Sequence, residues 1–161
     1  MNENEYAAIG HILKSALNDE PWKSLGFRRR PRSDPFMRKL RPAWKNRLEQ
    51  LALRHIVSMF TTVAVLGGAI RLPALREVTE RFADAYPQLG YENRNEAAEH
   101  LHDTIIRYVD ADPAQWQKLL LENLNIAGLP DEKTASTLLL GVIRFSRDMR
   151  RQLEQLQQGP E

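Results

Sequence analysis

The sequence predicts an all-α, single-domain bundle of about six helices, and three observations carry that expectation. Apolar residues recur at spacings of three and four along most of the chain, where an all-β protein would show short alternating runs. The segment boundaries carry prolines, glycines and Asn/Asp caps in the positions that start and stop helices. Finally, 42% hydrophobic and 27% charged residues are globular proportions, so a chain of 161 residues is expected to bury about two-thirds of its unfolded surface around one core.

The first helix is expected from about Glu3 to Leu17, with Ile9, Ile12, Leu13, Ala16 and Leu17 on one stripe. Asn2 followed three residues later by Glu5 supplies a capping box, and Asn18 to Pro21 ends the helix. Residues 19–41 break the pattern. Pro21, Gly26, Pro31 and Pro35 punctuate a long irregular basic connection that Trp22, Leu25 and Phe27 are expected to anchor to the domain.

Pro42 then suits the first turn of a second helix to about Leu66, with Trp44, Leu48, Leu51, Ala52, Met59, Phe60 and Val63 inward and Gly67-Gly68 as its stop. Pro73 opens a third helix through about Ala85, burying Leu75, Val78 and Phe82, and Tyr86-Pro87 with Gly90 closes it. A fourth helix follows from about Asn95 to Val109. Asp112-Pro113, a cap before a proline, starts a fifth with Trp116, Leu119, Leu120 and Leu124, ending before Gly128. Pro130-Asp131 starts the last, which runs to about Gln157 and leaves residues 158–161 as a frayed tail. Along its distal half Val142, Ser146, Met149, Leu153 and Leu156 form a short seam, which an amphipathic helix packed on its own domain accounts for.

The chain has no cysteine, which excludes disulfides, thiolate zinc sites and cysteine nucleophiles and suits the cytoplasm. Its start carries glutamates where a secretory signal would be basic, so a cytoplasmic protein is expected. The longest apolar stretch, Ile56 to Ile70, is broken by Ser58, Thr61, Thr62 and Gly67-Gly68 and reads as a buried core helix in place of a membrane span.

Net charge is only +2, yet the charge is unevenly placed. Lys23 to Arg54 holds eleven Lys/Arg against Asp34 and Glu49, a local net of +9, whereas Arg76 to Glu132 holds five against twelve Asp/Glu, a net of −7. The basic residues Arg28, Arg29, Arg30, Arg32, Arg38, Lys39, Arg41, Lys45 and Arg47 are interleaved with Trp22, Phe27, Phe36 and Trp44. Guanidinium groups bind phosphates bidentately, and aromatic rings stack on unpaired bases. The expected partner is therefore a DNA or RNA backbone, and the expected role is a non-enzymatic accessory protein within a larger nucleoprotein assembly. Two other readings stay open: solvated surface, and an electrostatic contact with an acidic protein. The opposite charges of the two regions also favour protein partners or self-association.

Arg94-Asn95-Glu96-Ala97-Ala98-Glu99-His100 sets an arginine and a histidine six positions apart at a helix start. This stretch of seven residues resembles the active-site motif of HEPN ribonucleases, a helical family. The resemblance implies two such motifs meeting at a dimer interface and cutting RNA without metal. It gives His100 an acid/base role, Arg94 the stabilisation of phosphorane charge and Asn95 the positioning of phosphate. A HEPN-like ribonuclease is thus the enzymatic alternative.

Glu96, Glu99, His100, His102 and Asp103 lie at ion-sharing helical spacings but lack the further ligands a zinc site needs, and a solvated polar face explains them. His11 and His55 read as packed or surface histidines. No phosphate-binding glycine loop or nucleophile elbow occurs, and no cofactor or metal is expected. Leu75 to Val109 is a poor helix-turn-helix, because the Tyr86–Asn93 connection is long and the second helix is acidic.

Overall fold

The computed structural model describes residues 1–18, 42–116, 118–119, 144, 147–149, 151 and 154–155. These are mostly helical, and no strand occurs among the described residues. The basic connection at residues 19–41, most of the expected fifth and sixth helices and the tail at 158–161 lie outside them.

Helix α1 is Glu3–Leu17, as the capping box predicted. The Glu5 backbone N–H donates to Asn2 Oδ1 at 2.9 Å, and the Asn2 N–H donates back to Glu5 Oε2 at 3.0 Å. Two orphan donors of the first turn are thereby satisfied. Ile9, Ile12 and Ala16 bury the apolar stripe.

Helix α2, Pro42–Leu66, is the central element. Leu53, Ile56, Val57, Met59 and Val63 are buried and Phe60 partly so, on a helix that also buries His55, Ser58, Thr61 and Thr62. The buried threonines cost little, because each hydroxyl donates to a carbonyl one turn back: Thr61 to Val57 at 2.6 Å and Thr62 to Ser58 at 2.7 Å. No helix among the described residues is long and apolar enough to cross a membrane.

The glycine pair ends α2 as expected, by a Schellman arrangement. Gly68 takes φ of +81°, its N–H donates to Val65 at 3.1 Å, and the Ala69 N–H reaches Ala64 at 2.8 Å. Only at Gly68 does this stop require a left-handed backbone.

Pro73 proves to sit in a 3-10 turn, Leu72–Ala74, and helix α3 proper is Leu75–Ala85. Leu75, Val78 and Phe82 are buried as predicted, along with Thr79. A second 3-10 turn, Pro87–Leu89, and Gly90 at φ +75° complete the connection. Helix α4, Arg94–Asp110, starts one residue earlier than expected, because the Asn93 side chain takes the cap by accepting the Glu96 N–H at 2.8 Å. It buries Ala97, Ala98, Leu101, Ile105 and Tyr108.

After α4, Asp112 caps the Pro113–Gln115 turn through the Ala114 N–H at 3.0 Å and leads into Trp116. The indole is buried edge-on against Tyr108 at 6.0 Å and donates from Nε1 to the Tyr108 carbonyl at 3.1 Å. Helix α1 lies on α2, and α4 lies on both α2 and α3. Of the expected C-terminal seam only Met149 has a described side chain, and it is buried in this same core. At that position the seam packs on its own domain.

Several polar ties hold α1 to the rest, among them the Arg81 guanidinium donating to the Tyr6 hydroxyl at 3.0 Å. The Arg71 backbone N–H and its Nε both donate to Glu5 Oε1, at 3.1 and 2.7 Å, and the Tyr86 hydroxyl donates to the Leu13 carbonyl at 2.7 Å. These guanidinium and amide donors hold the Glu5 carboxyl down to about 2, against the opposing effect of its burial.

Candidate functional site

Of the residues the sequence singles out, Trp22, Phe27, Arg28, Arg29, Arg30, Arg32, Arg38, Lys39 and Arg41 lie outside the described residues. Lys45 and Arg47 stand in the first two turns of α2. Arg54, the last cation of the basic region, lies two turns further along, and the fold uses it internally. Its Nε donates to the Leu89 carbonyl at 2.7 Å while its guanidinium lies over the Tyr91 ring, 3.9 Å from the centroid. One side chain thus clamps the α3–α4 connection onto α2 through a charge-assisted hydrogen bond and a cation–π contact.

Arg94, Asn95 and His100 all fall on α4, with Arg94 at its first position. Six residues at 3.6 per turn leave Arg94 and His100 about 120° apart around the axis. Their partners differ accordingly. Arg94 turns toward α3 and pairs with Asp84 at 3.3 Å and Glu80 at 3.5 Å. His100 Nδ1 instead pairs closely with the Tyr91 hydroxyl, the two rings tilted with centroids 5.4 Å apart. Asn95 is exposed.

The side chains brought together are therefore Arg54, Tyr91 and His100, from α2, the connection and α4. Burial pushes the Tyr91 phenol up to about 12, with the nearby Glu96 adding to the rise and Arg54 opposing it. Partial burial and the Arg54 charge hold the His100 imidazole below its ordinary value, with Asp103 opposing them. At neutral pH the pair is a protonated phenol beside a neutral imidazole. A neutral imidazole that accepts the phenolic proton at Nδ1 carries its own proton on Nε2. Burial and the guanidinium both disfavour the imidazolium, so at neutral pH the ring is a weak base and holds no extra proton to give as a general acid.

The comparisons leave this site without a counterpart. No family model, curated protein or solved structure matches the chain. Among the described residues no group of three or more His, Asp or Glu side chains could hold a metal ion, and the His102–Asp103 contact, 3.6 Å, joins neighbours on the chain. His55 is packed and His11 exposed. His11 lines an open groove of about 610 Å³ between α1 and the end of α2, among alanines, glycines and Phe60.

The motif resemblance pairs Arg94 with His100. The charge that acts most on that histidine is Arg54, brought from 46 positions earlier in the chain by the α2–α4 packing. Arg54→Gln should consequently raise the His100 pKa toward its ordinary value, followed by NMR titration of the imidazole protons. An unchanged midpoint would show that the guanidinium does not act on the ring.

Proposed function

We propose that this chain is a non-enzymatic helical accessory protein that holds a nucleic-acid backbone with little sequence preference, as a subunit of a larger nucleoprotein assembly. The observation that carries this reading is the concentration of charge: a net of +9 between Lys23 and Arg54, mostly arginine, with aromatic residues interleaved. Solubility alone does not require that density, and the rest of the chain is not basic to match. Since Arg54 is committed to Leu89 and Tyr91, the reading rests on the cations before it, from Arg28 to Arg47. Trp22 and Phe27 would stack on unpaired bases.

The test is an anisotropy titration with mixed-sequence single- and double-stranded DNA and RNA across salt concentrations. Replacing Arg28, Arg29, Arg30 and Arg32 by alanine should weaken binding to all sequences alike and flatten the salt slope by about 0.7 to 0.9 per lost phosphate contact. Failure of the unaltered protein to bind any of these at about 50 mM salt overturns the reading.

A further inference from the structure

A second charged surface lies well outside the basic segment. Arg144, Arg147 and Arg151 occupy helical positions and are exposed, while Met149 between them is buried. The exposure of the three arginines and the burial of Met149 set their charges away from the core. Arg151 makes a loose 3.9 Å contact with Asp148, and Arg144 and Arg147 make no ion pair among the described residues.

Helix α4 carries the complement. Its buried face is centred on Leu101, and Glu96, Glu99, Asp103 and Asp110 are exposed on the opposite side, within about 60° of one another. Arg107 flanks this face, leaving four carboxylates against one cation. Glu96 and Glu99 make no ion pair among the described residues, and Asp103 touches only the neighbouring His102.

The two stripes share one spacing. Glu96, Glu99 and Asp103 follow one another at three and four residues, and so do Arg144, Arg147 and Arg151. At 1.5 Å per helical residue this spacing spans about 10 Å, so helical stripes of this spacing laid side by side in the same direction bring three opposite charges into register at once. From this match we propose that the arginine stripe of one copy docks on the α4 carboxylate stripe of a second copy of this chain. The contact is heterologous: each copy offers one stripe of each sign, so every docked pair leaves one free stripe at either end, and assembly continues as an open row. Exposed ion pairs are individually weak, which makes the association reversible and dependent on both salt and concentration. This proposal does not depend on what the basic segment binds.

Sedimentation velocity on the full chain tests it by charge reversal. At about 50 mM salt the unaltered protein should give a weight-average mass that climbs with concentration, and raising salt to about 500 mM should weaken association roughly tenfold or more as the Debye length shortens. Arg144→Glu/Arg147→Glu/Arg151→Glu and Glu96→Arg/Glu99→Arg/Asp103→Arg should each be monomeric alone. Mixed together, the two variants should associate again, which a misfolded variant could not do. The Arg28→Ala/Arg29→Ala/Arg30→Ala/Arg32→Ala variant should assemble as the unaltered chain does, separating this contact from nucleic-acid binding. A monomeric unaltered protein, undiminished association of either reversed variant alone, or failure of the mixture to reassociate overturns the proposal.

Discussion

Phe82→Ala is expected to destabilise the domain by about 3–5 kcal/mol, the largest single-residue effect anticipated in this fold. Phe82 sits on α3 with none of its surface exposed, in the same cluster as Val78, Leu101 and Tyr108. Helix α3 packs on α4, and the Phe82 carbonyl accepts the Tyr86 N–H that closes the helix. Truncation removes the transfer free energy of the ring and leaves a cavity that helices on both sides cannot close. For a domain of this size each kcal/mol moves the midpoint by about 2–4 °C, so a fall of roughly 6–20 °C is expected in a thermal melt. Arg76→Ala on the exposed side of the same helix should change stability by about 0.5 kcal/mol or less. A Phe82→Ala loss below about 1 kcal/mol would mean that α3 does not pack on α4 in this way.

The elements that were legible in the sequence are those whose causes are local. Asn2 with Glu5 and Gly67-Gly68 each act within a few residues of themselves, and both do in the structure what their spacing predicts; Asp112 caps as its position before Pro113 predicts, but the turn it caps closes as 3-10. Where local signals compete, a boundary moves by a turn or less: Pro73 signals a helix start but its turn closes as 3-10, and the Asn93 cap starts α4 one residue before the expected Asn95. Ties between distant residues left no local trace. Glu5 reads as half of a capping box, and nothing near it announces that Arg71 will claim the same carboxylate. Arg54 reads as the last member of a basic run, although its guanidinium serves the Leu89 carbonyl and the Tyr91 ring. The pairing of Arg94 with His100 is a property of spacing along the chain, whereas the partners of each are set by which side of α4 it occupies. Such contacts follow from how α2, α3 and α4 pack, and that packing is cooperative across the domain.

Acid is expected to weaken the domain in two successive windows, and His55→Gln should remove much of the first. His55 lies on α2 with 6% of its surface exposed, and burial pushes its imidazole down to about 3. In the unfolded chain it titrates near 6.5. As pH falls below about 6.5 the unfolded state binds a proton that the folded state refuses, so the stability present above that value is lost progressively until about pH 3. The slope for one such group approaches about 1.4 kcal/mol per pH unit, so between pH 6.5 and 4.5 the loss is on the order of 2 kcal/mol. His100, also held below its ordinary value, adds to the loss in the same direction. The second window belongs to Glu5. Its folded carboxyl, held near 2 by Arg71 and the Asn2 N–H, resists a proton that the unfolded chain accepts near 4.5, so this contribution is lost as pH falls from about 4.5 toward 2. Urea denaturation at intervals from pH 7.5 to 3 separates them. His55→Gln, which leaves a neutral polar group on α2, should flatten the slope between pH 6.5 and 4.5 while keeping the steeper fall below it; Glu5→Gln should do the reverse. Identical pH slopes for His55→Gln and the unaltered protein above pH 4.5 would show that His55 is protonated as readily in the folded domain as in water.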